Sequence, residues 1–337
     1  MCELIGIREV RAAAERIEGH MVHTPTVASP GLSAHLGAPV SLKLELLQRT
    51  GSFKSRGALH KLLSLGDAER ASGVVAVSGG NHATAVADAA AGLGLAATVV
   101  MPESAPARSV AAARGSGARV RLTPDIPDAF GLTATLVDEG LTLVHPFDDP
   151  IVLAAQGTVG LEFATQAPDV TDVLVSVGGG GLISGVATAF RALAPGVRVW
   201  GVETEGADAM SRALAAGDPV AIEPTSIVTS LSAPVVSPLT LRHVGALVED
   251  VLVVSDADAV RGTLSLAEEA KLWAEPAAGC VVPAARRVLD RVGPDARLGL
   301  VICGGNLAMA DLRAWVDRFG ITPPPSTSGA TDDAAAT

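Results

Sequence analysis

One lysine of this chain stands where a nucleophilic amine could work. The chain has few lysines, and they are Lys43, Lys54, Lys61 and Lys271. Lys54 lies in the stretch GSFKSRGA, residues 51–58, between a glycine-serine turn and a predicted helix. A lysine amine, unlike a guanidinium group, can lose its proton and attack a carbonyl carbon. Placement at a helix N-terminus and partial burial both lower the pKa of such an amine, which favours imine chemistry.

The other lysines are predicted to be surface residues. Lys43 lies in the alternating segment VSLKLEL and is expected to point to solvent, and Lys61 and Lys271 are expected on solvated helix faces. We also expect Thr50 or Ser52 to cap the helix that Lys54 begins, because both residue types favour that position.

Three predicted strands run directly into glycines and then into a helix. The segments are VVAVSGGNHATAVADAA, DVLVSVGGGGLISGVATAF and GLVICGGNLAMADLRAW. In a parallel sheet such loops lie at the carboxyl ends of the strands, where open α/β sheets bind ligands. Residues 178–181 are the candidate phosphate cradle, since glycine lets backbone N–H groups approach an anion. A tight strand-to-helix turn explains any single loop, and the recurrence favours ligand binding.

Nucleotide-binding patterns fit these loops poorly. A G-x-G-x-x-G fingerprint that starts at Gly179 fails because Ser184 replaces its third glycine, although Glu203 ends the next strand at a suitable distance for a ribose contact. The Gly-Lys-Ser/Thr sequence of a P-loop does not occur. A lysine together with a phosphate cradle instead suits a phosphorylated aldehyde held as a Schiff base.

Composition narrows the class of protein. The 337 residues suffice for one large domain or two ordinary ones, and the net charge of −11 argues against nucleic acid or an anionic membrane as partner. No apolar run reaches the length of a membrane span, and the N-terminus shows no secretory pattern. Cys2, Cys280 and Cys303 lack metal-type spacing and favour a reducing compartment, so we expect a cytoplasmic protein.

Apolar runs of strand length alternate with Ala-rich helical segments, which predicts an α/β fold with a mostly parallel sheet. The predicted strands cover residues 40–45, 73–78, 96–101, 119–122, 172–177, 197–202, 250–254 and 298–303. The predicted helices cover residues 7–19, 54–65, 82–92, 107–115, 156–166, 183–193, 256–271 and 283–292.

Five segments in this order resemble the fold-type II pyridoxal-phosphate enzymes: GSFKSRGA, SGGNHATAVA, SVGGGGLISG, EPAAG and CGGN. The similarity runs from about residue 7 to residue 315, and the serine/threonine dehydratases (ammonia-lyases) and serine racemases resemble the chain most. It implies the tryptophan synthase β-like α/β fold, with two lobes that each contain a mostly parallel sheet flanked by helices. It also implies a large cofactor-binding domain of residues 1–68 and 149–320 and a small substrate domain of residues 69–148. The tail, residues 321–337, is rich in Pro, Ser, Thr and Ala, and this composition predicts disorder.

The resemblance assigns roles to individual residues. Lys54 matches the lysine that holds pyridoxal phosphate as a Schiff base and moves the α-proton. Asn81 matches the asparagine on the phenolic oxygen, and Cys303 matches the residue that faces the pyridine nitrogen, although a small buried residue at a strand end suits Cys303 equally. The further implied cofactor contacts are Phe53, Gly178, Gly179, Gly180, Gly181, Leu182 and Glu275. The implied contacts to the substrate carboxylate are Ser78, Gly79, Asn81 and His82.

The chain departs from the family pattern at two places. Gly79 replaces a serine that can act as base on the opposite face in serine racemases and many dehydratases, so racemisation is disfavoured. Glu203 aligns with one acidic ligand of a divalent-cation site for Mg²⁺ or Ca²⁺, but the second ligand falls on Ala209, with Asp208 one residue early. A solvated acid at a strand end is the other interpretation of Glu203.

These features predict pyridoxal-phosphate-dependent β-elimination (dehydration and deamination) of L-threonine and/or L-serine to a 2-oxo acid plus ammonia. A neutral thiol at Cys303 favours elimination because it stabilises a long-lived carbanion less than a carboxylate would. A serine racemase, a β-replacement synthase and a dehydratase for a specialised substrate such as 3-hydroxyaspartate are alternatives on the same fold. A non-enzymatic binder of pyridoxal phosphate or of a nucleotide is an alternative of another class. By analogy with the family we expect a homodimer.

Overall fold

Two mostly parallel sheets organise the chain in a computed structural model that describes residues 4–322. The strands are β1 Thr26–Ala28, β2 Val40–Lys43, β3 Val74–Val77, β4 Ala97–Pro102, β5 Arg119–Thr123, β6 Thr142–Leu143, β7 Asp172–Ser176, β8 Arg198–Thr204, β9 Asp250–Val254 and β10 Leu298–Val301. The helices are α1 Ile7–Ile17, α2 Pro30–Leu36, α3 Lys54–Leu63, α4 Asp67–Ser72, α5 Asn81–Gly92, α6 Ala107–Gly115, α7 Ile126–Asp138, α8 Pro150–Gln166, α9 Gly181–Leu193, α10 Ala209–Ala216, α11 Pro238–Leu247, α12 Asp256–Glu269, α13 Pro276–Gly279, α14 Val281–Val292 and α15 Met309–Arg318. Two short 3₁₀ helices, Glu45–Leu47 and Arg49–Gly51, lie between β2 and α3.

The six-stranded sheet has the order β1-β2-β10-β7-β8-β9, and the four-stranded sheet has the order β5-β4-β3-β6. All strand pairs are parallel except β1 with β2 at one edge. We call residues 74–143, with the four-stranded sheet and α5 to α7, the small lobe, and the remaining described residues the large lobe. The predicted fold class is confirmed.

The helices that cover the large sheet approach each other closely. β7 is buried along its whole length, which explains its continuous apolar sequence. α8 and α9 pack where a Cβ on Gly185 would lie 2.3 Å from the backbone nitrogen of Gly157, so only glycine fits there. Phe163 of α8 meets Phe190 of α9 edge to face, with the ring centroids 5.9 Å apart. This packing fixes α9 against the sheet and thereby the glycine loop that precedes it.

Every predicted strand and helix is present, and most have shifted ends, whereas α6 and β9 have the predicted bounds. The largest shift is in α8, which begins at Pro150 instead of residue 156. The Asp149 side chain caps this helix by accepting from the Ile151 N–H at 2.8 Å, and proline suits the first helical position. Most of the predicted tail, residues 323–337, lies outside the described residues, as does Cys2. None of the helices within residues 4–322 has the length and apolar character that a membrane span requires.

Lys43 is buried, so the prediction of a solvent-exposed position is wrong. β2 lies between β1 and β10, and the Lys43 side chain has 0% exposure. Its amine pairs with Glu162 of α8 at 2.5 Å, and Arg56 of α3 pairs with Glu162 at 2.6 Å and with Glu45 at 2.8 Å. We call Lys43, Glu45, Arg56 and Glu162 the buried charge cluster. Paired charges of both signs make this burial tolerable and tie α3 to α8.

Candidate active site

Lys54 is the first residue of α3, and its amine lies against the chain just before α8. The Nζ atom donates to the Pro146 carbonyl at 2.9 Å and lies 5.1 Å from the centroid of the Phe53 ring. Burial lowers the pKa of the Lys54 amine to about 8, so a useful fraction is neutral near physiological pH. Lys271 is exposed as predicted, whereas Lys61 is half-buried and pairs with Asp149 at 2.8 Å.

Neither Thr50 nor Ser52 caps α3, so that prediction is wrong. The N-cap position is Phe53, which has helical backbone angles and no side-chain cap. The Thr50 hydroxyl bonds that of Ser55 at 2.7 Å, and the buried Ser52 hydroxyl has no partner in the described part of the chain. Thr50 itself has φ 57, a costly conformation for a β-branched residue, which turns the chain just before Lys54.

The glycine loop of residues 178–181 joins β7 to α9. The first helical bond of α9 runs from Ser184 N–H to the Gly180 carbonyl at 3.0 Å, which leaves the earlier N–H groups of the helix without an intrahelical acceptor. Gly180 has φ 88, and a Cβ there would lie 2.6 Å from the Met210 methyl group. A Cβ on Gly179 would lie 2.1 Å from the Phe147 ring, so the segment that contacts the Lys54 amine also borders this loop. Free N–H groups at a helix start suit a phosphate.

Cys303 follows the end of β10 and has 3% exposure. Its sulfur accepts a hydrogen bond from the Ser176 hydroxyl at 3.3 Å, and its carbonyl accepts from the Phe53 N–H at 3.1 Å. Burial raises the pKa of the Cys303 thiol to about 12, so the group is neutral. Cys303 is thus both a small buried residue at a strand end and a neutral polar group beside the loop that carries Lys54.

Asn81, Glu275 and Asn306 form one hydrogen-bonded group between the two lobes. Asn81 Nδ2 donates to Glu275 Oε1 at 2.8 Å, and Asn306 Nδ2 donates to Asn81 Oδ1 at 2.7 Å. Burial raises the pKa of the Glu275 carboxyl to about 7. Asn306 was not among the predicted site residues, although the second Gly-Gly-Asn triplet, residues 304–306, repeats the triplet that contains Asn81.

The loop from Ser78 to His82 precedes α5. The Ser78 hydroxyl accepts from the Gly80 N–H at 3.1 Å, and the first helical bond, from Thr84 N–H to the Gly80 carbonyl, measures 3.3 Å. The His82 ring is buried, with Nε2 bonded to the Val144 carbonyl at 2.8 Å. Burial and the Lys54 charge lower the pKa of His82 to about 3. The ring is therefore neutral, and its Nε2 atom is used in the bond to the Val144 carbonyl.

The Glu203 carboxylate accepts hydrogen bonds from the first turn of α10. It accepts from the N–H groups of Met210 at 2.8 Å and Ser211 at 2.9 Å, and from the Ser211 hydroxyl at 2.6 Å. Burial raises its pKa to about 7. Within residues 4–322 no group of three or more His, Cys, Asp or Glu side chains could hold a metal ion. The predicted Mg²⁺ or Ca²⁺ contact at Glu203 therefore finds no support.

The chemistry of these groups fits pyridoxal phosphate. The Lys54 amine, with its pKa lowered to about 8, suits reaction with the aldehyde. The N-terminus of α9 suits the phosphate, because its first N–H groups are free and only glycine fits the tightest positions. The Asn81 amide and the neutral Cys303 thiol supply polar partners of the kind that the ring requires.

Comparison with known proteins agrees with this fit. The chain matches the family described as pyridoxal-phosphate dependent enzyme over residues 17–304. It is 39% identical over 308 residues to the L-threonine ammonia-lyase of Thermotoga maritima, and the match covers 90% of this chain and 76% of the relative. It is 40% identical over 311 residues to an L-threo-3-hydroxyaspartate ammonia-lyase of Pseudomonas sp., covering 90% of this chain and 96% of the relative. The structure of maize serine racemase superposes with a TM-score of 0.87 at 32% identity, covering 94% of this chain and 98% of that one. The chain therefore belongs to the pyridoxal-phosphate dependent enzyme family.

Proposed function

We propose that this chain is a pyridoxal-phosphate-dependent ammonia-lyase that converts L-threonine and/or L-serine to a 2-oxo acid and ammonia. The observation that carries the proposal is the Lys54 amine, whose pKa is lowered to about 8 and whose neighbour Phe53 donates its backbone N–H to the Cys303 carbonyl at 3.1 Å. The names of the similar ammonia-lyases support the same reaction class.

Several residues hold and orient the reactants in this proposal. The N–H groups at the start of α9, with residues 178–182, would hold the cofactor phosphate. Phe53 would pack beside the ring and Asn81 would donate to the phenolic oxygen. Glu275 helps to fix the Asn81 amide through its bond at 2.8 Å. The N-terminus of α5, with Ser78 and Gly79 before it, receives the substrate carboxylate.

Bound pyridoxal phosphate supplies an electron sink for the pair of electrons left at Cα. The neutral Lys54 amine accepts the α-proton, and the carbonyl of Pro146 holds that amine in place at 2.9 Å. The β-hydroxyl takes up one proton, equivalent to the one removed from Cα, and departs as water. This leaves an enamine acid, which one molecule of water converts to the 2-oxo acid and ammonia. Because the Cys303 thiol stays neutral, the electron pair is better used in expelling the β-substituent than in a long-lived carbanion.

A hydroxyaspartate is the second candidate substrate. Its support is the similarity to an L-threo-3-hydroxyaspartate ammonia-lyase, which matches this chain over 96% of its own length. Both substrates undergo the same elimination and differ in the group on Cβ. A racemase is less well supported, because Gly79 offers no hydroxyl on the face opposite Lys54.

The proposal extends to the organisation of the protein. We propose a large domain of residues 1–68 and 149–320 and a small domain of residues 69–148, supported by the separate six-stranded and four-stranded sheets. We also propose a cytoplasmic homodimer, on the family resemblance and the cysteine usage. A monomer mass in size-exclusion chromatography with light scattering would remove the dimer from the proposal.

The decisive experiment measures 2-oxo acid release by purified enzyme loaded with pyridoxal phosphate. L-threonine, L-serine and L-threo-3-hydroxyaspartate are compared as substrates, with Lys54→Ala as the inactive control. Release from a hydroxy amino acid that disappears in the control is the expected result. Cofactor absorbance without any release of 2-oxo acid would overturn the proposed lyase activity and favour β-replacement. Adding a thiol as nucleophile would then test for the β-replacement product.

A further inference from the structure

The two Gly-Gly-Asn triplets of the sequence meet between the lobes. Asn81 begins α5 in the small lobe, and Asn306 follows β10 in the large lobe. Asn306 Nδ2 donates to Asn81 Oδ1 at 2.7 Å. The proposed reaction uses Asn81 at the cofactor but gives Asn306 no part, so the second triplet calls for a separate explanation.

The neighbours of Asn306 determine which way its amide points. Its Nδ2 also donates to the Thr50 carbonyl at 2.7 Å, and a carbonyl oxygen can only accept. Its Oδ1 faces Arg108 Nη2 at 3.3 Å, and a guanidinium group can only donate. The Nδ2 end of the amide therefore faces a group that can only accept, and the Oδ1 end faces a group that can only donate. A flipped Asn306 would put an oxygen against a carbonyl and an NH₂ group against a cation.

Asn306 and Glu275 together then determine the orientation of Asn81. With Asn306 as donor, Asn81 presents its Oδ1 to the large lobe and its Nδ2 to Glu275, at 2.8 Å. The amide of Asn81 has two N–H groups, and only one of them is used in this contact. The other N–H is left to donate to a ligand in the cleft.

Arg108 makes this arrangement depend on contact between the lobes. It lies at the start of α6 in the small lobe, and its Nη1 donates to the Leu307 carbonyl of the large lobe at 2.7 Å. The same side chain therefore joins the two lobes and supplies the donor that orients Asn306.

We propose that Asn306 is a positioning residue that orients the Asn81 amide toward the phenolic oxygen of pyridoxal phosphate, and that Arg108 couples this orientation to contact between the lobes. This inference rests on the proposed role of Asn81 in holding the cofactor. Neither Asn306 nor Arg108 acts on the substrate; each acts through the amide of Asn81.

The test compares Asn306→Leu and Arg108→Met with Arg114→Met. Arg114 is exposed on the same helix as Arg108, so its replacement makes the same change of charge as a matched control. Three quantities are measured: the affinity of the apoenzyme for pyridoxal phosphate, the near-ultraviolet and visible absorbance spectrum of the bound cofactor without substrate, and the thermal unfolding midpoint of the apoenzyme. We expect affinity to fall about tenfold in Asn306→Leu and about threefold in Arg108→Met, since one hydrogen bond to a charged oxygen becomes misaligned. The absorbance band moves to shorter wavelength in both, and Arg114→Met matches the wild type.

A double-mutant cycle separates positioning from a general structural effect. If Asn306 acts through Asn81, the Asn306→Leu change has no further effect on affinity or absorbance in an Asn81→Ala background. Effects that add fully in that background would overturn the proposal, as would a wild-type spectrum and affinity in both single variants. If the Asn306→Leu variant does not fold, the proposal is tested by Arg108→Met, which changes an exposed residue, and by its double-mutant cycle with Asn81→Ala. Absence of 2-oxo acid release would overturn the proposed lyase alone, because these readouts need no turnover.

Discussion

The Ser176 hydroxyl donates to the Cys303 sulfur at 3.3 Å, which joins the carboxyl ends of β7 and β10. Both residues are buried, and burial raises the pKa of the thiol to about 12. The sulfur therefore carries its proton at any pH at which the enzyme works. The neutrality of the thiol follows from its burial at the ends of two central strands.

Replacing Cys303 by aspartate should impair elimination, whereas serine should preserve it. A carboxylate would hold a proton on the ring nitrogen of bound pyridoxal phosphate and strengthen the electron sink, which favours longer-lived carbanions. We expect kcat for 2-oxo acid release to fall about tenfold or more in Cys303→Asp, equivalent to about 1.4 kcal/mol of activation free energy. Cys303→Ser keeps a neutral hydrogen-bonding group and should stay within about threefold of the wild type. Equal rates for the aspartate and serine variants would contradict this account.

Capture of pyridoxal phosphate by the apoenzyme should depend on pH through the Lys54 amine. Burial lowers the pKa of this amine to about 8, and only the neutral amine attacks an aldehyde. The second-order rate of capture should therefore rise about tenfold per pH unit below this value and level off above it. Stopped-flow absorbance between about pH 6.5 and about pH 9.5 measures the rate, with Lys54→Ala as the blank. A midpoint near the ordinary lysine value would show that the amine is not desolvated.

Gly79→Ser should fold and should gain racemase activity. A Cβ at Gly79 would lie 3.6 Å from Pro102 Cγ and 3.8 Å from Ala105 Cβ, which are ordinary contact distances. In the proposed site the added hydroxyl would supply an acid or base on the face opposite Lys54. We expect formation of D-serine from L-serine to rise by about ten- to hundredfold, as measured by chiral chromatography. Gly79→Ala, which adds the methyl without the hydroxyl, is the matched control and should not differ from the wild type in D-serine formation.

Arg56→Met should destabilise the protein strongly and weaken cofactor binding. Arg56 has 1% side-chain exposure and pairs with Glu45 and Glu162, so methionine would leave two carboxylates without their main partner. Removing one partner of a buried ion pair costs about 3–5 kcal/mol of the free energy of unfolding. Urea denaturation measures this loss, with the exposed Arg119→Met as control. A change as small as that of the control would mean that the cluster contributes little to holding α3.

The elements around the site were predictable because their local signals agree. The runs before residues 79–81, 178–181 and 304–306 are apolar and short, and each is followed by glycine, so strand, turn and helix are all indicated at once. Lys54 was identifiable because its residue type is rare in this chain and its flanking motif is distinctive. Local patterning therefore predicts the fold class and the strands before the glycine loops, and the motif singles out Lys54 as the candidate site residue.

Other features depend on contacts between distant segments. Lys43 has the alternating pattern of a half-exposed strand, but pairing of β2 on both sides and a carboxylate from α8 bury it. The prediction of the α3 cap is wrong for a similar reason. The Thr50 hydroxyl bonds the Ser55 hydroxyl, and the Thr50 carbonyl accepts from the Asn306 amide. The hydrogen bond between Asn306 and Asn81 joins the two lobes, and the repeated Gly-Gly-Asn triplet is the one sequence feature that relates these residues.

The low pKa of Lys54 makes this protein suited to selective chemical labelling. At pH 7 an amine with a pKa of about 8 is neutral roughly 300 times as often as one at the ordinary value of 10.5, and acylating reagents attack the neutral form. Lys43 has 0% side-chain exposure, which shields it from such reagents. A limiting dose of an amine-reactive probe on the apoenzyme should therefore modify Lys54 ahead of the other side-chain amines. Peptide mapping of the adduct would report how much of the enzyme in a preparation still lacks its cofactor.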